Sequence, residues 1–185
     1  MRPWGSRGKR DALVILDRGT DYKDCVPLLT KDADDAYGAF VEFLGKRRVE
    51  YAWTDSAKEL IKALKDLGIP HGKATPGRHT ANAICERTVR KVVEGARTLL
   101  EHAGLAACFW PWAVRYWCFM DNAEVRTDGH SAWSKRFAGK HFEGPRLPFG
   151  CRVEYLPRPE EVKALPKFET RAQVGIVLGY YLQPG

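Results

Sequence analysis

Two carboxylates, Asp55 and Glu86, occupy positions from which they can act together on one substrate. Asp55 directly follows a predicted strand at residues 49–53, at the strand end where α/β folds tend to place ligand sites. Glu86 lies in the first turn of a predicted amphipathic helix that runs from about residue 82 to His102. The 30 residues between the two acids are enough chain to return to the same sheet edge. The pair therefore predicts a site that holds Mg²⁺ ions for attack on a phosphodiester.

Each acid also has an ordinary structural interpretation. Asp55, which Ser56 follows, could instead cap the N-terminus of the next predicted helix. Glu86 could be a surface residue paired with Arg90, because residues four apart on a helix are neighbours. The helix pattern alone does not separate these alternatives from an acid pair that holds a metal beside a polyanion.

The composition of the chain favours an acidic partner. The 185 residues include 30 Lys and Arg against 23 Asp and Glu, a formal net charge of +7, and nucleic acid is the commonest partner of such a chain. Hydrophobic residues make up 44%, which suits one packed domain with a small appendage. The sequence contains no GxSxG motif, P-loop or His/Cys pair, so it offers no support for nucleophilic or nucleotide-hydrolysing enzymes.

Cysteine usage and hydropathy favour an intracellular protein. The five cysteines lack CxxC spacing and no histidine lies at zinc-finger spacing, so we expect reduced, mostly buried thiols. The N-terminus has no apolar signal region. The aromatic stretch at 105–120 is interrupted by Pro111 and Arg115 and is too short to span a bilayer, so no membrane partner is expected.

Hydrophobic periodicity predicts an α/β chain that begins with a hairpin. Residues 1–10 are basic and aperiodic and predict a disordered lead-in. The continuous apolar run at 12–16 predicts a strand covered on both faces, and residues 23–29 predict its antiparallel partner. A helix over 31–45 follows, and its predicted apolar stripe is Ala36, Phe40, Val41 and Leu44.

The rest of the chain predicts further helices and short strands. The strand at 49–53 precedes a helix at 56–67, and the predicted buried side of that helix is Leu60, Ile61, Leu64 and Leu67. The later predicted elements are an edge strand at 69–74, a loop at 75–80, the Glu86 helix, helices at 109–122 and 131–138, and strands at 151–156 and 174–180. This order predicts a sheet of mixed direction with helices packed on it.

Several short motifs, in a fixed order, resemble one family. They are Thr54-Asp55-Ser56, Asn82–Arg87, Phe109–Ala113, Ser131–Phe137, Pro148–Cys151 and Gly175–Tyr180. Together they resemble the integrase core of Ty1/copia-type retrotransposons, in which the second catalytic acid lies in an S/T-D-N-x-x-x-E segment and the third in N-G-x-x-E-R. The last two motifs resemble strands of the SH3-like module that follows copia cores. The resemblance covers about residues 11–183.

The resemblance implies a fold, a domain division and a chemistry. The fold is ribonuclease-H-like, a mixed sheet flanked by helices, at residues 11–140, with a partial SH3-like β module at 147–185. In the implied two-metal mechanism, Asp55 and Glu86 are catalytic residues and the ligands of Mg²⁺ or Mn²⁺. The reaction would be DNA end processing followed by strand transfer.

The resemblance also implies partners for the chain. DNA, both retrotransposon ends and target DNA, would be bound in the nucleus, and integrases of this fold act as homo-oligomers. The basic residues near the phosphates would be Arg78, Arg87, Arg90 and Lys91.

Three departures from the family predict impaired catalysis. The family's first catalytic Asp lies on a strand before the one at 12–16, and the ten residues at 1–10 contain no acid, so we expect an N-terminally truncated core. Ser56 replaces the usual Asn, and Asn82-Ala83 replaces Asn-Gly. The alternatives are a non-catalytic nucleic-acid-binding or interaction module that retains the fold, and a ribonuclease-H-like nuclease without integration.

Overall fold

The predicted N-terminal hairpin is confirmed. A computed structural model of the protein describes residues 8–73, 79–158, 160 and 170–181. Strands β1 (Asp11–Leu16) and β2 (Lys23–Leu28) pair antiparallel, with Leu16 opposite Lys23. Asp17 closes the turn by accepting hydrogen bonds from the Gly19 N–H (2.9 Å) and the Thr20 hydroxyl (2.8 Å). The predicted disordered lead-in falls largely on residues 1–7, which lie outside the described part of the chain.

The later elements follow the predicted order with shifted ends. The helices are α1 (Ala33–Leu44), α2 (Lys58–Asp66), α3 (His79–His102), α4 (Trp110–Ala123) and α5 (Ala132–Arg136), and a 3-10 turn at Ala107–Phe109 precedes α4. The strands are β3 (Ala52–Thr54), β4 (His71–Lys73), β5 (Arg152–Tyr155) and β6 (Gln173–Ile176). The fold is a mixed α/β arrangement, as predicted. No described helix combines the length and the apolar character that a bilayer crossing requires.

The strands form three two-stranded sheets in the described part of the chain. β1 pairs with β2 and β5 with β6, both antiparallel, whereas β3 and β4 are parallel. Two burial predictions are wrong here. β1 is only half-buried and Ala12 is exposed, and next to Asp55 the ring of Trp53 is 58% exposed. The reason is that, among the described strands, β1 and β3 each pair along one edge, so neither is covered as a central strand would be.

The hydrophobic core lies between α3, α4 and the hairpin. Val92 and Ala96 of α3 pack against Ala113 and Cys118 of α4 and against Cys25 of β2. In the first helix, the predicted stripe is partly wrong, because the buried residues are Ala36, Ala39 and Phe43 while Val41 is 44% exposed. In α2 the buried residues are Ala63 and Leu64, and the predicted Leu60, Ile61 and Leu67 are half-buried.

The C-terminal strands are joined to this core. Phe149 is buried against Tyr116, with ring centroids 5.3 Å apart, and the Tyr116 hydroxyl donates to the carbonyl of Leu147. The Tyr180 hydroxyl accepts from the Leu147 N–H (2.7 Å) and donates to the Pro145 carbonyl (2.8 Å). The division into domains at 11–140 and 147–185 stays a prediction, and residues 182–185 lie outside the described segments.

Candidate active site

Asp55 lies at the exposed end of β3 and keeps one carboxylate oxygen available. Its Oδ1 accepts from the Ala57 N–H (3.1 Å) and from the Thr54 hydroxyl (3.4 Å). The residue that caps α2 is Ala57, so Asp55 forms the turn before the helix and does not itself cap it. Within the described residues, Oδ2 of Asp55 makes no hydrogen bond or ion pair. Oδ1 of Asp55 thus has a structural role in the turn, and Oδ2 can bind a ligand.

Glu86 lies deeper in its helix than the sequence predicts. α3 begins at His79, so Glu86 is its eighth residue and not part of the first turn. The predicted first-turn position is therefore wrong, and the positive end of the helix dipole gives Glu86 little stabilisation, because that effect fades after the first turn. The helix extends N-terminally because residues 79–85 contain no Gly or Pro. The predicted end is correct: Gly104 has φ of +63° and follows the last turn.

Glu86 is exposed and unpaired within the described structure. The ion pair with Arg90 that the alternative interpretation required does not form there, although both side chains are exposed on α3. The ion-pair alternative for Glu86 is therefore not seen among the described residues, and its role in a site stays a prediction.

A further residue, Cys85, feels the charge of both acids. Partial desolvation raises the pKa of the Cys85 thiol, the positive charge of Arg18 lowers it, and the negative charges of Asp55 and Glu86 raise it further. Charges act on a thiol in this way only within electrostatic range. Asp55 after β3, Arg18 in the hairpin turn and Glu86 on α3 therefore all lie within that range of Cys85, which is exposed.

The donor set of this site fits a hard cation incompletely. Carboxylate oxygens are the ligands that Mg²⁺ and Mn²⁺ prefer, and both acids have oxygens open to solvent. Across residues 8–73, 79–158, 160 and 170–181, however, no group of three His, Cys, Asp or Glu side chains is placed to hold a metal ion. Asp55 and Glu86 would thus supply two protein ligands, with water or a phosphate completing the coordination.

The predicted nucleic-acid-binding residues separate into two groups. At 100° per residue, Arg90 lies on the same flank of α3 as Glu86, whereas Arg87 and Lys91 lie on a neighbouring flank and line a pocket. All three side chains are exposed. Arg78 lies outside the described residues, so its predicted role stays untested.

Comparison with known proteins agrees with these motifs. No protein-family model matches the chain. The retrovirus-related Pol polyprotein from the Nicotiana tabacum transposon TNT 1-94 is 28% identical over 115 residues, which is 58% of this chain and 8% of the relative. The Pol polyprotein from the Arabidopsis thaliana transposon RE2 is 28% identical over 118 residues, which is 60% of this chain and 8% of the relative. The one from the Arabidopsis thaliana transposon RE1 is 25% identical over 179 residues, which is 92% of this chain and 12% of the relative. The chain therefore spans about a tenth of the length of these relatives.

A solved structure agrees on the fold. The catalytic core domain of BIV integrase matches with a TM-score of 0.52 and 13% identity, covering 68% of this chain and 84% of that one. The chain is thus similar to copia-type Pol polyproteins and has the fold of a retroviral integrase catalytic core. The predicted resemblance and the ribonuclease-H-like fold class are thereby confirmed.

Sequence reasoning missed two members of this integrase-core-like site. Arg18 belongs to the hairpin turn, and its Arg-Gly-Thr context indicates only turn chemistry. Cys85 was expected to be one of a mostly buried set, whereas only Cys25 and Cys118 are buried; none of the five cysteines, all in the described residues, forms a disulfide. The available signal for Cys85 was its position beside Glu86, which by itself predicts no proximity to Asp55.

We expect the reactivity of Cys85 to report on the acid pair. Because both carboxylates raise the pKa of the thiol, Asp55→Asn and Glu86→Gln should each lower that pKa and speed alkylation at pH 8. Arg18→Gln removes the opposing charge and should slow the reaction. The measurement is the rate of iodoacetamide labelling of the Cys85 peptide by mass spectrometry, with Glu101→Gln, in the last turn of α3, as the control for net charge. Equal rates in all variants would show that the acids do not meet at Cys85.

Proposed function

We propose that this chain is a nucleic-acid-binding core descended from a transposon integrase, and that DNA end processing and strand transfer are impaired in this copy. The observation that supports it is an integrase-core fold in which Asp55 and Glu86 both lie within electrostatic range of Cys85. The partners would be retrotransposon ends and target DNA, bound by homo-oligomers in the nucleus.

The chain's own residues would position the phosphate and the metal. Asp55 and Glu86 would hold Mg²⁺ or Mn²⁺, which supplies Lewis-acid activation of a phosphodiester when bound. Arg18 lies in the hairpin turn within electrostatic range of Cys85, and Arg90 lies one turn after Glu86 on α3. Their positive charges would attract the scissile phosphate and offset the two carboxylates.

The proposed impairment depends on the number of carboxylates. The resemblance implies three acids, and within the described residues no third carboxylate joins Asp55 and Glu86 in a group that could hold a metal ion. Losing one of three ligands weakens both the affinity for the ion and its fixed geometry. Asp17 is the acid nearest to Arg18 in the sequence. Its Oδ1 accepts a hydrogen bond from the Gly19 N–H, and its Oδ2 pairs with Nη1 of Arg136 at 3.3 Å.

The test is one DNA experiment with two measurements. Strand transfer on a transposon-end duplex with Mg²⁺ or Mn²⁺ should yield little product, and robust product abolished by Glu86→Gln would overturn the impairment. Affinity for the same duplex should depend steeply on salt. Two phosphate contacts from α3, one at Arg90 and one shared by Arg87 and Lys91, predict a slope of about −1.8, or a loss of about 12-fold when salt rises fourfold.

The same variant separates catalysis from binding. Glu86→Gln should leave DNA affinity unchanged or slightly stronger, because it removes a negative charge and no cation. If wild-type affinity does not respond to salt, nucleic-acid binding is refuted. If cleavage occurs but its products never join a second duplex, the chain is a nuclease and not an integrase.

The second candidate is a non-catalytic nucleic-acid-binding module. Its supporting observation is that Arg87, Arg90 and Lys91 are exposed on α3 and form no ion pair with the other described residues. It predicts salt-dependent DNA binding with no cleavage in either Mg²⁺ or Mn²⁺.

A further inference from the structure

A basic pocket lies beside α3, on the flank next to the one that carries Glu86. It has a volume of about 250 Å³ and lies between α3, the turn end of the β1–β2 hairpin and the end of α4. Four cations line it, Lys23, Arg87, Lys91 and Arg126, together with two carboxylates, Asp21 and Asp121. The pocket is thus positive before any ligand enters.

Both carboxylates of the pocket form ion pairs with Lys23. The Lys23 ammonium is 2.5 Å from Asp121 Oδ2 and 3.9 Å from Asp21 Oδ2, and Lys23 itself is only 7% exposed. Arg126 adds a second contact to Asp121, at 3.0 Å. Burial opposes ionisation of Asp121, but these two cations outweigh it and hold its pKa below the ordinary value. Asp121 therefore stays ionised and fixed at the back of the pocket, where it neutralises Lys23.

Arg87 and Lys91 have no such compensation. They lie one turn apart on the same flank of α3, both exposed, and neither forms an ion pair with another described residue. Like charges one turn apart repel, and a bound anion removes that repulsion. A guanidinium and an ammonium facing one space are suited to a phosphate group, which Arg binds through two N–H donors and Lys as a point charge.

We propose that this pocket binds one phosphate group, and that the backbone of a nucleic acid supplies it. The second part rests on the proposed nucleic-acid binding. On the helix, Glu86 and Arg97 are rotated by about 100° from Arg87 and Lys91. Arg90 lies on the Glu86 flank, at the edge that faces the pocket. A strand that crosses the outer surface of α3 from the acid pair therefore meets Arg90 and then the pocket. This order of contacts favours a chain of phosphates over an isolated ion.

The experiment compares two double variants of equal charge. The pocket variant is Arg87→Gln with Lys91→Gln, and the control is Arg97→Gln with Lys65→Gln, an exposed Arg and Lys outside the pocket. Inorganic phosphate is titrated into each protein at constant ionic strength and followed by the amide NMR shifts of Thr88 and Lys23. The affinity of each protein for a DNA duplex is then measured across a salt series. Thermal unfolding confirms that all three proteins are folded.

The pocket variant should lose at least about tenfold in phosphate affinity, the effect of one lost charge-assisted hydrogen bond, while the control binds phosphate like the wild type. Its DNA salt slope should fall by about 1. If phosphate binding is equal in all three proteins or absent from all, the pocket proposal is wrong. If the pocket variant loses affinity for phosphate but binds DNA like the control, the ligand of the pocket is free phosphate and not nucleic acid. If wild type binds phosphate but no DNA, the proposed function fails while the phosphate site stands.

Discussion

Gly95→Ala should lower the free energy of unfolding by about 2 kcal/mol, although alanine is the better helix former. Gly95 lies inside α3 where the indole of Trp117, on α4, packs directly over it. A Cβ at this position would lie 1.9 Å from the indole Nε1 and 2.2 Å from Cδ1. The indole has only two side-chain torsions, so it must leave its place or force the two helices apart. The cost of this overpacking exceeds the propensity gain of about 1 kcal/mol.

Gly38→Ala is the matched control for this prediction. Gly38 also lies inside a helix, α1, but a Cβ there meets no atom within 4 Å. This variant should raise the free energy of unfolding by about 1 kcal/mol through helix propensity alone. Thermal and urea unfolding of both variants make the measurement, and the Gly95 variant should melt about 4–8 °C lower than wild type. A stabilised Gly95→Ala protein would show that α3 and α4 are not packed as described.

Asn122→Leu should destabilise the protein by about 3 kcal/mol, the cost of leaving two buried backbone groups without partners. Asn122 is 1% exposed at the end of α4. Its Oδ1 accepts from the Lys23 N–H (3.0 Å) and its Nδ2 donates to the Lys23 carbonyl (2.6 Å). The side chain thereby makes the pair of hydrogen bonds that a neighbouring strand would make, and it holds the hairpin that carries Arg18 and Lys23.

Comparison with Asn122→Ala separates the hydrogen bonds from packing. Leucine keeps the branched shape and the heavy-atom count of asparagine but pairs with neither Lys23 group, whereas alanine leaves a cavity as well. If the hydrogen bonds dominate, both variants should lose about the same stability, and amide exchange at Lys23 should accelerate in both. A leucine variant as stable as wild type would show that water or another group satisfies Lys23.

Local patterns were enough to predict most elements and the family. The hairpin, the order of helices and the Gly104 stop follow from apolar periodicity and turn residues, because each depends on neighbours a few positions away. The start of α3 was predicted too late, because residues 79–82 carry no strong helix or breaker signal. The predicted buried side of α1 was partly wrong because Val41, although apolar, is exposed, whereas Ala36, Ala39 and Phe43 are buried.

The candidate site was only partly predictable. Asp55 and Glu86 were found because a carboxylate after a strand and one on an amphipathic helix are visible in the sequence. Arg18 and Cys85 were not, since nothing in a turn Arg or a lone Cys indicates which distant acid it approaches. The grouping of Arg87 with Lys23 and Arg126 depends on α4 packing beside the hairpin, a contact between residues about 100 positions apart.

By itself, the sequence determined the resemblance to copia-type elements, the α/β class, the two candidate acids and the positive charge of the α3 helix, since these depend on residue type and short-range spacing. Only the tertiary structure decided that Glu86 has no ion-pair partner among the described residues, that both acids lie within electrostatic range of Cys85, and that Arg87 and Lys91 line a pocket with Lys23 and Arg126. The physical reason is that electrostatic and hydrogen-bonded partners are chosen by distance in space, and helix packing brings together groups that the chain keeps far apart.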